Sequence, residues 1–147
     1  MSTTTLANLK LTTARKPRAL PSVVQRRNKL LKKLHEQREL AVANVEGRTY
    51  APKRLRTVRG MEGSRVVREV AVRIKPWSWT GEKGETLLCV YYGSKMLELG
   101  KGKTAIEFAN TKDLVQTLDV VIMAVQNGEL DVQIESASSK LREGFKR

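Results

Sequence analysis

The chain has 147 residues and a formal net charge of +13, which comes from 28 Lys and Arg against 15 Asp and Glu. This length suits one ordinary domain with a tail, and a hydrophobic content of 40% allows a modest core. No apolar run approaches the roughly 20 residues that span a bilayer, and Cys89, as the single cysteine, can form no intramolecular disulfide. These features argue against a membrane protein and a secreted disulfide scaffold, and they predict a cytoplasmic location.

The positive charge is confined to the first half of the chain. Residues 1–75 carry 19 Lys and Arg against 5 Asp and Glu, whereas residues 76–147 carry 9 against 10. No acidic residue precedes Glu36. A surface that serves only solubility mixes both signs, so a segregated positive field predicts a polyanionic partner. Nucleic acid is the polyanion expected most often, and an anionic membrane surface or an acidic protein is the alternative.

Two segments make up the front of the chain. Residues 1–21 are rich in Thr, Lys and Arg and contain two prolines, which predicts a disordered basic tail, with a transit peptide as the alternative. Residues 22–46 are predicted to form a basic amphipathic helix, because Ser22 and Gln25 have capping-box spacing and apolar residues recur along a narrow stripe. A stripe this narrow favours docking along one edge, or a dimer contact, over burial in a core.

The remaining segments are predicted to hold one folded core. Residues 47–63 combine many cations with no periodicity, so they are expected to be a basic linker. Residues 64–135 are expected to be the core domain, in which period-two segments joined by Gly-rich turns predict about four strands. Within this domain an amphipathic helix is predicted from Thr111 to Gln126. Residues 136–147 are predicted to form a polar tail, either as a frayed helix or without regular structure.

A short fifth strand is predicted after this helix, because Leu130, Val132 and Ile134 alternate with polar residues. The resulting fold class is α+β: an antiparallel β-meander of about four strands packed by one C-terminal amphipathic helix, preceded by a basic N-terminal helix and a disordered tail. The element order of residues 64–128, with a basic tail in front, resembles the transcriptional-coactivator and Whirly type of single-strand DNA-binding domain. The resemblance is topological and rests on no diagnostic motif.

Catalytic and metal-binding patterns are not recognisable, so we expect no enzyme, no cofactor and no metal. His35 is the only histidine and lies among lysines of the basic helix, where a solvated side chain is expected. With one His and one Cys the chain lacks the ligands of an ordinary zinc site, and Cys89 is expected to be a small core residue. The Gly102-Lys103-Thr104 triplet has Leu97 where a phosphate-binding loop needs Gly, which favours a β-turn.

Aromatic residues are the second functional signal, because four of the seven in the chain lie in the first two strands of the predicted core. Trp77 and Trp79 share strand parity with Arg73 and Lys75, so the four side chains are expected on one face, opposite the helix. Single-strand binders stack bases on such rings while cations follow the backbone. The alternative is that the tryptophans cover the end of the core or a dimer interface.

The sequence therefore predicts a non-enzymatic nucleic-acid-binding protein, with single-stranded DNA or RNA favoured. Basic side chains are expected to bind phosphates, and the two tryptophans and Tyr92 are expected to stack bases. The predicted binding residues are Arg26, Arg27, Lys29, Lys32, Lys33, Lys53, Arg54, Arg56, Arg59, Arg73, Lys75, Trp77, Trp79, Tyr92, Lys101 and Lys103.

An alternative function belongs to another class. The protein would be a phage- or plasmid-type interaction protein whose first helix inserts Val23, Leu30 and Leu34 into a groove of a host protein. Its small size and basic front are similar to those of accessory proteins of phages and mobile elements. A role on the ribosome or as an RNA chaperone stays open as well. No membrane partner is expected, and a homodimer is expected because a single helix leaves one sheet face uncovered.

Overall fold

The computed structural model describes residues 5–145. The predicted α+β class is confirmed, with three α-helices and short antiparallel strands in small sheets. The outer ends of the two predicted tails, residues 1–4 and 146–147, lie outside the described residues. The elements are α1 (Ser22–Val45), β1 (Lys53–Arg59), β2 (Arg65–Ala71), β3 (Ser78–Thr80), β4 (Thr86–Cys89), β5 (Tyr91–Tyr92), β6 (Lys95–Met96), β7 (Ala105–Phe108), α2 (Leu114–Gln126) and α3 (Asp131–Phe145).

The front tail contributes nothing to the core. A short 3₁₀ helix covers Thr5–Asn8, and residues 9–21 belong to no helix or strand and are exposed throughout. Helix α1 then begins at Ser22, one residue after Pro21, whose fixed φ suits a helix start.

Helix α1 is a core helix, which corrects the prediction that it docks along an edge or forms a dimer contact. Leu30 and Leu34 are 1% and 0% exposed, and Ala41 is buried with them against α2 and α3. Val23 and Val45, at the ends of the predicted stripe, are exposed. A narrow stripe is sufficient here because the neighbouring helices supply the rest of the apolar contact.

The predicted basic linker contains a strand. β1 pairs with β2 over seven residues, from Lys53 opposite Ala71 to Arg59 opposite Arg65. Gly63, with φ at +81°, closes the turn between them, where its N–H donates to the carbonyl of Gly60. The single predicted meander is divided, since this hairpin is a sheet of its own.

The central sheet has the order β3-β4-β7, and β5 and β6 form a third, two-stranded sheet. Residues 72–77 leave the strand pattern between β2 and β3 and run beside α1. Leu88 and Val90 pack under the helices, and Ile106 and Phe108 of β7 pack against the same cluster. The Gly-rich turns predicted between the strands of the core are present, at residues 81–84, 93–94 and 100–103.

Helix α2 agrees with the prediction, and it buries Leu118, Val121, Ile122 and Val125. The predicted fifth strand is wrong, because Asp131–Phe145 forms α3. Of the two alternatives predicted for the last residues, a frayed helix or a tail, the structure has a helix as far as Phe145. Leu130, Ile134, Ala137 and Leu141 recur at helical spacing and pack into the core, whereas Val132 is 78% exposed. None of the helices in the described part of the chain is both long enough and apolar enough to cross a membrane.

Candidate functional site

A cleft of about 270 Å³ lies between α1, the base of the β1–β2 hairpin and the irregular segment 72–77. We call it the basic cleft. It combines cations from α1, β1 and segment 72–77 with aromatic rings from that same segment and from β5. Seven of the sixteen predicted binding residues line it: Lys29, Lys33, Arg54, Arg73, Lys75, Trp77 and Tyr92.

The α1 wall of the basic cleft follows from helical spacing. Lys29, Lys33, Glu36 and Gln37 recur at intervals of three and four residues, so they share one face of the helix. This face lies beside the buried Leu30 and Leu34, which fix the helix on the core. The cationic wall is therefore held by packing that the charges themselves do not provide.

Gln37 joins the helix wall to the opposite wall. Its side-chain N–H donates to the carbonyl of Lys75 at 2.9 Å, and its side-chain oxygen accepts from the N–H of Trp77 at 2.9 Å. The side chain is buried, so both backbone groups depend on it for a partner. Gln37 thereby sets the position of the segment that carries Arg73, Lys75 and Trp77.

Two of the three predicted stacking residues, Trp77 and Trp79, differ in their relation to the cleft. Trp79 lies in β3 opposite Leu87, whereas Trp77 precedes the strand. The predicted strand face that joins both tryptophans with Arg73 and Lys75 opposite the helix is not formed, because residues 72–77 leave the strand pattern and run beside α1. Trp77 is half-buried and lines the cleft, where its ring lies 5.6 Å from that of Tyr91. Trp79 is 45% exposed and lies outside the cleft.

The position of Tyr92 corrects its predicted role in stacking. Tyr92 is 5% exposed, belongs to the hydrophobic core and has the ammonium of Lys29 4.9 Å above its ring centre. A base cannot reach a ring face that is already covered. Tyr92 instead supports Lys29 through a cation–π contact, which orients that cation at the cleft.

The charge of the basic cleft is strongly positive. Among the described residues, five cations and one carboxylate line it. The carboxylate is Glu36, which forms an ion pair with Arg54 and lies 3.9 Å from the ammonium of Lys33. Arg54 is thus paired, whereas Arg73 and Lys75 on the facing segment form no ion pair within residues 5–145.

Two arginines of α1, Arg27 and Arg38, bind carboxylates of the second half of the chain. Arg27 donates to Asp131 at the start of α3, with 2.8 Å between Nε and Oδ1, and this hydrogen bond holds the pKa of Asp131 below its usual value and raises that of Arg27. Arg38 donates to Asp119 of α2 at 2.5 Å, and this bond raises the pKa of Arg38. Arg27, a predicted binding residue, therefore ties two helices together.

The remaining predicted residues do not line the basic cleft. Arg26 and Lys32 lie on α1, Lys101 and Lys103 lie in the exposed turn before β7, and the others lie in β1. Those in β1 are Lys53, Arg56 and Arg59.

Sequence reasoning missed Gln37, which lines the cleft, and two arginines of the hairpin whose base lines it. Arg65 and Arg68 of β2 lie directly opposite Arg59 and Arg56 of β1. The two arginines were visible in the sequence, but their pairing with β1 was not, since residues 47–63 gave no strand pattern. Gln37 was also missed, although a polar residue on the buried stripe is a signal for a buried hydrogen bond.

The residues weighed for catalysis lie apart from the cleft. His35 is exposed on α1, and burial raises the pKa of the Cys89 thiol within the sheet. In the region that the structure describes, no three His, Cys, Asp or Glu side chains are grouped to hold a metal ion. The Gly100–Lys103 segment is a β-turn that leads to β7, so the phosphate-loop interpretation fails on geometry as well as on sequence.

Comparison with known proteins places the chain in a family without assigning it a function. No curated protein and no solved structure matches it. One family model, described as a family of unknown function (DUF6641), matches residues 5–134. This match takes in α1, the hairpin, the central sheet and α2, and the chain belongs to the DUF6641 family.

Proposed function

We propose that the protein is a non-enzymatic nucleic-acid-binding protein that prefers single strands. The observation that carries the proposal is the convergence of five cations and the ring of Trp77 on the basic cleft. Phosphates are the anions that such a set of Lys and Arg side chains binds. A nucleotide is the ligand that offers a phosphate and an aromatic base together.

The preference for single strands follows from the ring. Trp77 lies beside Tyr91 in a cleft of about 270 Å³. Bases in a duplex have their faces covered by their neighbours, whereas an unpaired base can lay its face on an aromatic ring. In this proposal one base enters the cleft and contacts Trp77, and the adjoining phosphates bind Arg73 and Lys75.

The ion pairs of the cleft support the assignment of phosphates to Arg73 and Lys75. Arg54 offsets Glu36, so the cleft keeps an excess of positive charge from Lys29, Lys33, Arg73 and Lys75. Binding would release the counterions condensed on the nucleic acid, so affinity would decrease as salt increases. A nucleic-acid partner agrees with the cytoplasmic location that the sequence predicts.

The alternative, in which α1 docks into a groove of a host protein, has less support. Leu30 and Leu34 would have to leave the core to enter such a groove. Val23 is exposed, but one valine is too small an anchor for a helix-in-groove complex.

The two tryptophans allow a direct test. In a Trp79→Phe variant, Trp77 is the sole tryptophan, and we expect its fluorescence to be quenched when an oligothymidylate binds. In the matched Trp77→Phe variant, Trp79 reports from outside the cleft, and we expect little quenching at equal saturation. Saturation is measured separately by fluorescence anisotropy of the labelled oligonucleotide. Quenching of Trp79 but not of Trp77 would exclude the cleft as the base site.

A further inference from the structure

The β1–β2 hairpin is an arm whose two strands contact each other far more than they contact the rest of the protein. Its turn, from Gly60 to Ser64, lies outside the residues that line the cleft, and most of the strand residues of the hairpin are exposed. The half-buried members are Arg54, Val58 and Val70. A two-stranded hairpin of this kind is marginally stable by itself. Its many arginines do not form a core, so another role must account for them.

The register places four arginines in two directly opposed pairs. Arg56 lies opposite Arg68, and Arg59 lies opposite Arg65. Side chains alternate between faces, so the Arg56–Arg68 pair lies on one face and the Arg59–Arg65 pair on the other. Directly opposed residues have Cβ atoms about 5 Å apart, where like charges destabilise the pairing. Within residues 5–145 none of the four arginines has a carboxylate partner.

One face of the hairpin is continuous with the basic cleft. Arg54 shares the face of Arg56 and Arg68, lines the cleft and is ion-paired with Glu36 of α1. This pair fixes which face of the hairpin lies toward α1. Arg56 follows about 7 Å beyond Arg54 along the strand, at twice the rise of one residue.

From this geometry we propose that the hairpin is a phosphate-binding arm that extends the basic cleft. The inference rests on the proposed function, because it concerns how far the bound strand runs. Phosphates leaving the cleft bind Arg56 and Arg68 together, which removes the repulsion between them. Binding therefore stabilises the hairpin as well as lengthening the contact. The Arg59–Arg65 pair on the opposite face takes no part.

A pair of double variants tests the proposal with charge matched. R56Q/R68Q and R59Q/R65Q each remove two cross-strand arginines from the same hairpin and the same net charge. The measurement is the affinity for a labelled oligothymidylate of about 16 nucleotides, the upper site size of one small binding module, over a range of salt concentrations. Each phosphate contact on a single strand contributes about 0.7 to the slope of log affinity against log salt. We expect R56Q/R68Q to lose about 1.4 from this slope and R59Q/R65Q to keep the wild-type value.

Hydrogen exchange gives a second readout that does not depend on the variants. Amides of Lys53–Arg59 and Arg65–Ala71 in the unmodified protein should exchange more slowly when the oligothymidylate is bound. Polyglutamate is the control for an acidic protein partner and should give neither protection nor tight binding. Equal loss of slope in both variants, unchanged exchange, or equal protection by polyglutamate would overturn the inference while oligonucleotide binding itself stands. If the unmodified protein binds no oligonucleotide, the proposed function fails first, and the inference fails with it.

Discussion

At the scale of single residues, the uncharged side chain of Gln37 holds the two walls of the candidate site together. Gln37 lies on the buried stripe of α1 between Leu34 and Ala41. Its side-chain amide forms hydrogen bonds with the carbonyl of Lys75 and with the N–H of Trp77. A leucine at this position would look better suited to a core. The glutamine instead keeps two backbone groups of an irregular segment satisfied where water has little access.

Replacing this amide tests its role. We expect Gln37→Leu to lower the free energy of unfolding by about 1–3 kcal/mol, because one carbonyl and one N–H lose their buried partner. Urea denaturation followed by tryptophan fluorescence measures the change. Asn28→Leu, at an exposed position of the same helix, is the control and should change stability far less. A Gln37→Leu protein as stable as the unmodified one would mean that the segment needs no such support.

At the scale of elements, the outcome depended on how long each periodic pattern was. Helices α1 and α2 were predicted nearly to their ends, since more than a dozen residues repeat the same spacing. Leu130, Val132 and Ile134 fit both a strand and a helix, and the apolar positions 137 and 141 that decide for α3 lie among polar residues. β1 was missed because its alternation consists of arginines rather than apolar residues, and its partner strand supplies the pairing.

The helical structure of α3 predicts different losses of stability at Ile134 and Val132, whereas a strand would predict similar ones. Ile134→Ala should lower the free energy of unfolding by about 2–5 kcal/mol, because Ile134 is 1% exposed in the core. Val132→Ala should change it by about 0.5 kcal/mol or less, because Val132 is exposed. Thermal or urea unfolding of the two variants measures the difference. In a strand these alternate residues would share one face, so similar losses from both would contradict the helix.

At the scale of the whole molecule, the two halves of the chain neutralise each other only in part. Asp119 of α2 forms an ion pair with Arg38, and Asp131 of α3 forms one with Arg27. These pairs connect α1 to the other two helices. The cations on the other side of α1 face the hairpin and the segment 72–77 instead. Composition predicted the segregated charge, but it could not predict which cations would form ion pairs within the folded chain. That division depends on the contacts between distant elements, which a single sequence does not reveal.

The central claim is that the basic cleft binds the phosphates of a single strand. Its most direct test is the salt dependence of oligothymidylate affinity for the unmodified protein, for Arg73→Gln/Lys75→Gln and for Lys101→Gln/Lys103→Gln. The last variant removes the same charge from an exposed turn outside the cleft. We predict that affinity decreases steeply with salt, that the cleft variant loses about 1.4 from the log–log slope, and that the turn variant keeps the slope of the unmodified protein. A flat salt response, or equal losses in the two variants, would contradict the claim.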